Sequence, residues 1–452
     1  MDTGTAHRPR TRVGSGHPGH PAHATHHSHA THATHATHPA HTTHPAHPHH
    51  PDPRVRPLRE HRGRPGRPVR TRPAPLTASP IFRELSQDLF ASLPRSDQRG
   101  KGVAYLRGLL ATPGRKSVRN MAAGLGGAES CSATGQSLHH FICNSTWDWL
   151  PVRQTLAQRL AAWLPPHAWV VRPLIIPKTG QHSAGVGRFF SDGGRVVSAQ
   201  RAVGVWFVTD RTAVPVHWQL DMPEPGADTD TEAGTAPGAG GHADLAADAC
   251  LEMAAEWGLP PAPVLLDLDG ADPVPALRRL RAAGLTPIAR LPRDRELAVA
   301  DPALTGHTGT VLTAERIMRA ARALRRPLPG ARAGRPPRPV LGVSVGVTLP
   351  GRSVHGEPDL AVTGTAPAGG TWPEEIWLSG RTADRSAPPL WALRTLVRRV
   401  DVSSHAIGDR VGLRDYAGRS FAGWHRHITL ASAAHAVAAF STDHRVTRRP
   451  LA

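Results

Sequence analysis

The sequence predicts an α/β protein: a mixed sheet flanked by helices, preceded by a small helical domain and a disordered His- and Arg-rich tail. Three observations predict it. Residues 1–78 hold a His/Thr/Ala/Pro tract (17–50) and an Arg/Pro/Gly arm (54–72), neither with enough apolar side chains to bury a core. Residues 79–165 place apolar side chains at helical spacing. From Trp169 the chain turns to short β-rich runs and then to alternating helix and strand, a succession that joins antiparallel to parallel strands. This last domain is expected over residues 166–445, with disordered insertions near 223–244 and 325–339.

The elements follow in order. Ser79 and Pro80 open a helix as N-cap and first-turn proline, and Ile81, Phe82, Leu85, Leu89 and Leu93 form its apolar face. Phe141, Ile142, Trp147, Trp149, Leu150, Leu156 and Leu160 carry the helical character to about Leu164. Strands are expected over 169–176, 186–190, 195–198, 202–208 and 213–220, with Asp192-Gly193-Gly194 and Asp210-Arg211 supplying hairpin turns. After the acidic Gly/Ala/Thr-rich stretch come a helix (245–257), a buried strand (263–267), a helix (274–283) and a strand (286–291). Beyond the Pro/Arg-rich stretch, strands are expected at 340–347 and 375–379, a helix at 390–405, and a last helix at 421–440 that packs back onto the sheet.

Composition narrows the class of partner. The chain has 452 residues, 39% of them apolar, and a formal charge of +19. That charge is almost entirely arginine, because Lys101, Lys116 and Lys178 are the only lysines. Arginine suits phosphate and base-edge contacts, so DNA is the expected partner, with a homo-oligomer a further possibility. Cys131, Cys143 and Cys250 are too few and scattered for a disulfide framework or a thiolate zinc site. No apolar run reaches the roughly 18 residues a membrane helix needs. A cytoplasmic, nucleoid-associated protein is expected.

Asp267 ends a strand at the carboxyl edge of the sheet, where α/β proteins gather functional groups, and Asp401 lies on a late helix after Arg398-Arg399-Val400. Four segments carry a resemblance: Ala104-Tyr105-Leu106-Arg107-Gly108-Leu109-Leu110, Pro177-Lys178-Thr179-Gly180-Gln181-His182-Ser183-Ala184-Gly185-Val186, Val264-Leu265-Leu266-Asp267, and Gly423-Trp424-His425-Arg426-His427-Ile428-Thr429-Leu430-Ala431. In this order they resemble the DDE transposases of bacterial insertion sequences, which have an RNase H-like core.

The resemblance implies two Asp and one Glu holding two divalent ions, Mg²⁺ or Mn²⁺, for in-line attack on a phosphodiester. The first Asp maps to Arg172 or Pro173, the second to Asp267, and the Glu to Asp401; a basic position maps to Gly408. No acid occurs between Asp148 and Asp192. A guanidinium ~4 Å from a divalent ion costs about 8 kcal/mol at an effective dielectric of about 20, so catalysis of the family type is not expected. An active enzyme would need Asp148 or Asp192 as a displaced ligand.

Other residues invite readings. Lys178 is expected either to touch phosphate or to lie solvated at a strand end. His182 and Ser183 are expected to make local turn hydrogen bonds. His61-Arg62-Gly63-Arg64-Pro65-Gly66-Arg67-Pro68 resembles an AT-hook, which implies that Arg62, Arg64 and Arg67 enter a narrow minor groove; a merely basic tail is the alternative. Gly334-Arg335-Pro336-Pro337-Arg338 is a poorer echo. His26, His29, His32, His35 and His38 recur at spacings that allow loose metal chelation, which leaves a metal-handling or scaffold protein as a third reading.

Overall fold

Ser79 and Pro80 behave as their chemistry requires: the Ser79 hydroxyl accepts from the Phe82 amide at 3.1 Å and Pro80 begins helix α1 (Pro80–Leu89). The computed structural model describes residues 75–125, 131–180, 182–190, 196–222, 239–268, 270–328, 339–351, 359–381 and 390–441. Two units separate in the chain, 1–70 and 71–452, and the first lies wholly outside the described residues. So do the His tract, Arg62, Arg64 and Arg67, the Asp192-Gly193-Gly194 turn, and most of both expected insertions.

Helices α2 (Ser96–Ala111), α3 (Val118–Leu125), α4 (Cys131–Cys143) and α5 (Leu150–Trp163) follow α1. Strands β1 (Ala168–Pro177), β2 (Val186–Phe190), β3 (Val196–Val208) and β4 (Ala213–Leu220) come next, then α6 (Ala239–Glu256), β5 (Val264–Leu266), α7 (Val274–Ala282) and β6 (Pro287–Arg290). The chain continues through β7 (Glu296–Val299), β8 (Val311–Thr313), α8 (Ala314–Ala320), β9 (Arg326–Pro327), β10 (Val340–Thr348), β11 (Leu360–Pro367) and β12 (Glu375–Gly380). It ends with α9 (Leu390–Ser403), α10 (Asp409–Val411) and α11 (Phe421–Phe440).

The strands form one mixed sheet in the order β2-β3-β1-β5-β6-β12-β11-β10-β7-β8, with β4 also paired to β3 and β9 to β10. β1, β5 and β6 run parallel, and the other pairings are antiparallel. This is the helix-flanked mixed sheet predicted from the sequence, with antiparallel strands followed by parallel ones as the succession of runs implied. Its interior strands are apolar because both faces are covered: Val170, Val171, Leu265, Leu266 and Ala289 are at most 1% exposed.

Several boundaries differ from the sequence reading, each for a physical reason. The expected strands 195–198 and 202–208 are one strand, β3, because its polar interruption is satisfied in place. Gln200 donates to the Ala184 carbonyl at 2.6 Å, and Arg201 forks onto Asp221 at 2.6 and 3.0 Å. Helix α6 begins at Ala239 rather than 245, since His242 and Ala243 are buried and lengthen its packed face. Strand β11 was missed; its sequence Leu-Ala-Val-Thr-Gly-Thr-Ala-Pro has a loop's composition, yet it lies between β10 and β12. The helix from 390 stops at Ser403 and passes into a wide turn over Ser404–Gly408.

Two helices fix the region around β4. α11 packs on β4, α2 and α4 and is buried from Gly423 to Phe440. α9 packs on β1, β3 and β4, where Ser403 donates to the Ala213 carbonyl at 2.8 Å and Arg399 to that of Thr209 at 2.7 Å. The Thr209–Thr212 turn below it is closed by the Thr209 hydroxyl, which accepts from the amides of Arg211 and Thr212, both at 3.2 Å.

Candidate active site

Register decides what meets at the sheet's centre. Val171 pairs with Leu266 in the parallel β1–β5 ladder, so the next residues, Arg172 and Asp267, lie side by side; Ala289 pairs with Leu266 across β5–β6, which brings Arg290 to Asp267 from the other side. Arg172 is ion-paired through Nη1 with Asp267 Oδ2, and its Nη2 lies 2.8 Å from Asp401 Oδ1 on α9. Arg290 Nη1 approaches the same Asp267 oxygen at 3.4 Å. Of the two positions offered by the sequence, Arg172 and not Pro173 meets the acids, because adjacent residues of a strand point to opposite faces.

The two acids sit in different environments. The Asp267 side chain is 2% exposed and that of Asp401 44%, with the Arg172 guanidinium spanning the step between them. A second seam joins α9 to the sheet seven residues earlier, where Arg394 reaches Glu374 at 2.5 Å and Glu375 at 3.7 Å. Burial pushes the Glu375 carboxyl above its ordinary range, partly opposed by Arg290 and Arg394. Acids and guanidinium groups thus alternate along the docking face of α9. Arg290, Glu375 and Arg394 escaped sequence reasoning; the position of Arg290 at the end of a strand next to the one ending in Asp267 was the available signal.

Two divalent ions do not fit this group. Asp267 and Asp401 face the Arg172 guanidinium, which ion-pairs with both, and the buried acid, Asp267, is shared with Arg290. Among the described residues no cluster of three or more His, Cys, Asp or Glu could hold a metal ion. Asp148 lies just before α5, where it accepts from the Leu150 amide at 2.9 Å, and Asp192 lies outside the described residues.

The remaining motif residues build the loop between α10 and α11. Lys178 donates to the Tyr416 carbonyl at 2.7 Å, and burial holds its amine below the usual lysine range. His427 contacts the Gly412 carbonyl through Nε2 and the Tyr105 hydroxyl through Nδ1, both at 2.8 Å. A carbonyl can only accept, so Nε2 carries the proton and Tyr105 donates to Nδ1. Gly423 is required because a Cβ there would lie 2.1 Å from the Tyr416 hydroxyl. The first, second and fourth motif segments therefore converge on residues 412–416. Ser183 accepts from the Val186 amide through its carbonyl at 3.2 Å, a local turn bond made by backbone. Gly408 lies in the wide turn after α9.

The family model described as DDE superfamily endonuclease matches residues 88–339, a span that includes Tyr105, Arg172, Lys178 and Asp267 and ends before Asp401. A comparison with curated proteins finds no match. The matched span is more than half of the chain and carries the sheet's central strands; the chain belongs to the DDE superfamily endonuclease family.

Proposed function

We propose that the protein binds DNA, the family's substrate class, and does not cleave it. The observation that carries this reading is the Arg172 guanidinium shared between Asp267 and Asp401. Asp267 and Asp401 are the remnants of the family's acid triad, and Arg172 stands in the first position with the charge of the ions rather than of their ligand. A fixed cation there repels a divalent ion by about 8 kcal/mol at ~4 Å and an effective dielectric of about 20, and it already engages the Asp267 and Asp401 oxygens that such an ion would need. Cationic surface supports the DNA reading: Arg211, Arg398 and Arg399 line a cleft of about 510 Å³ beside α9. Association with the nucleoid is the location that DNA binding implies.

The test uses the full chain and supercoiled plasmid with Mg²⁺ or Mn²⁺. We expect a salt-sensitive mobility shift and no nicked product. Divalent-dependent cleavage that disappears in Asp267→Ala overturns the inactivity, and the absence of any shift at moderate salt overturns the binding.

A further inference from the structure

The geometry points to α4 as the element that reads DNA sequence, with its outward face in the major groove and α3 beside it on the phosphates. The assignment rests on the DNA-binding reading above and adds which surface selects the site. α3 crosses α2 where Gly108 leaves room, since a Cβ there would come within 3.2 Å of Met121 Cβ, and α4 meets α3 at Gly135, opposite Ala122. Leu138, Phe141 and Ile142 bury the inner side of α4. Its far end is fastened to the sheet domain by Arg426, which donates to the carbonyls of Ile142 at 3.1 Å and Trp147 at 3.0 Å. The helix is therefore presented rigidly, as a reading element must be.

The chemistry of the outer face separates this helix from an ordinary solvated one. Ser132, Gln136, His139 and His140 are exposed at helical spacing, and none makes a side-chain hydrogen bond among the described residues. Solvated helix faces usually mix acids with bases. Here Glu129 is the only acid between Asp97 and Asp148, against Arg99, Lys101, Arg107, Arg115, Lys116 and Arg119. A groove of about 820 Å³ between α3 and α4 is lined by Arg119, Ser132, Gln136 and His139. Hydroxyl and amide side chains beside an arginine, with no carboxylate among the residues lining the groove, match base edges bordered by phosphate: glutamine pairs with adenine through two hydrogen bonds, and serine serves either role. Two helices in succession with the second exposed is the arrangement by which helix-turn-helix proteins place a helix in the major groove.

The experiment is a selection from a random duplex library with the full chain, followed by mobility shifts on the selected and a scrambled duplex at one salt concentration. The wild type should prefer the selected duplex at least tenfold. The double variant Gln136→Ala/His139→Ala, its fold checked by circular dichroism and melting, should bind both duplexes equally. Arg119→Ala should weaken both alike and flatten the salt dependence. A double variant that keeps the preference, or a wild type with none, overturns the assignment to α4 while leaving DNA binding intact. No shift with any duplex overturns the functional proposal itself.

Discussion

A buried carboxylate is stable only while its partners stay in place, and Asp267 depends chiefly on one. Among the described residues, removing Arg172 leaves it with the Arg290 guanidinium at 3.4 Å. Arg172→Ala is expected to destabilise the fold by about 3–5 kcal/mol. In the double variant Arg172→Ala/Asp267→Ala most of that loss should return. Urea denaturation of the four corners of the cycle measures the coupling, and strictly additive losses would show that the pair contributes nothing. The Arg172–Asp401 contact is half exposed and should be worth under about 1 kcal/mol. Much of this residue scale was legible in advance. Strand-end position and order singled out Asp267 and Asp401, and the missing acid at Arg172 was plain. The partnership was not legible, because a sequence shows which acid is lost and not where the replacing guanidinium turns. Lys178 was read as reaching phosphate or solvent, and its bond to the Tyr416 carbonyl lies 238 positions away in the chain, beyond any local pattern.

At the scale of elements, close approach decides more than propensity. Gly204 faces Trp218 across the β3–β4 pairing, and a Cβ would stand 2.5 Å from the indole. Trp218 is 1% exposed and donates to Ser432 on α11 at 3.0 Å, so it cannot retreat without breaking that contact. Gly204→Ala is therefore expected to lower stability by about 1–3 kcal/mol. Gly100, exposed on α2 with nothing within 4 Å of its Cβ position, should respond oppositely, Gly100→Ala raising stability by about 0.5–1 kcal/mol. Thermal melts of the two variants check both signs. Elements with strong periodicity or capping were legible: α1, β1, β4 and α11 lie where their patterns placed them. β11 was not, because its Thr, Gly and Ala residues gain strand character only from neighbours on both sides.

For the whole molecule, the polar core around α11 sets the response to acid. Arg153 is fully buried and donates to Thr429 at 2.7 Å and to the Trp218 carbonyl at 2.8 Å, its guanidinium pushed down to about 9 by burial. Burial holds His425 down to about 2, with Arg153 adding to it, and His435 down to about 4; His427 is lowered by burial as well. Unfolded histidine takes up a proton near 6.5 while these do not. Below that pH the unfolded chain binds more protons, so stability falls as pH falls, by about 1.4 kcal/mol per pH unit for each such histidine until its folded value is reached. The unfolding midpoint in urea should drop steeply between about pH 7 and about pH 5, and a flat profile would contradict neutral burial of these rings. The sequence placed His425, His427 and His435 on the last helix, but the exclusion of water from their rings is a matter of packing that no local pattern shows.

The guanidinium fastened to β1 has one more consequence. A dissociable counter-ion acts at whatever activity the surrounding medium supplies, whereas a tethered one is present once in every molecule at fixed stoichiometry. The seam between α9 and the sheet is therefore set at synthesis and should be indifferent to chelators, to magnesium starvation and to competing cations.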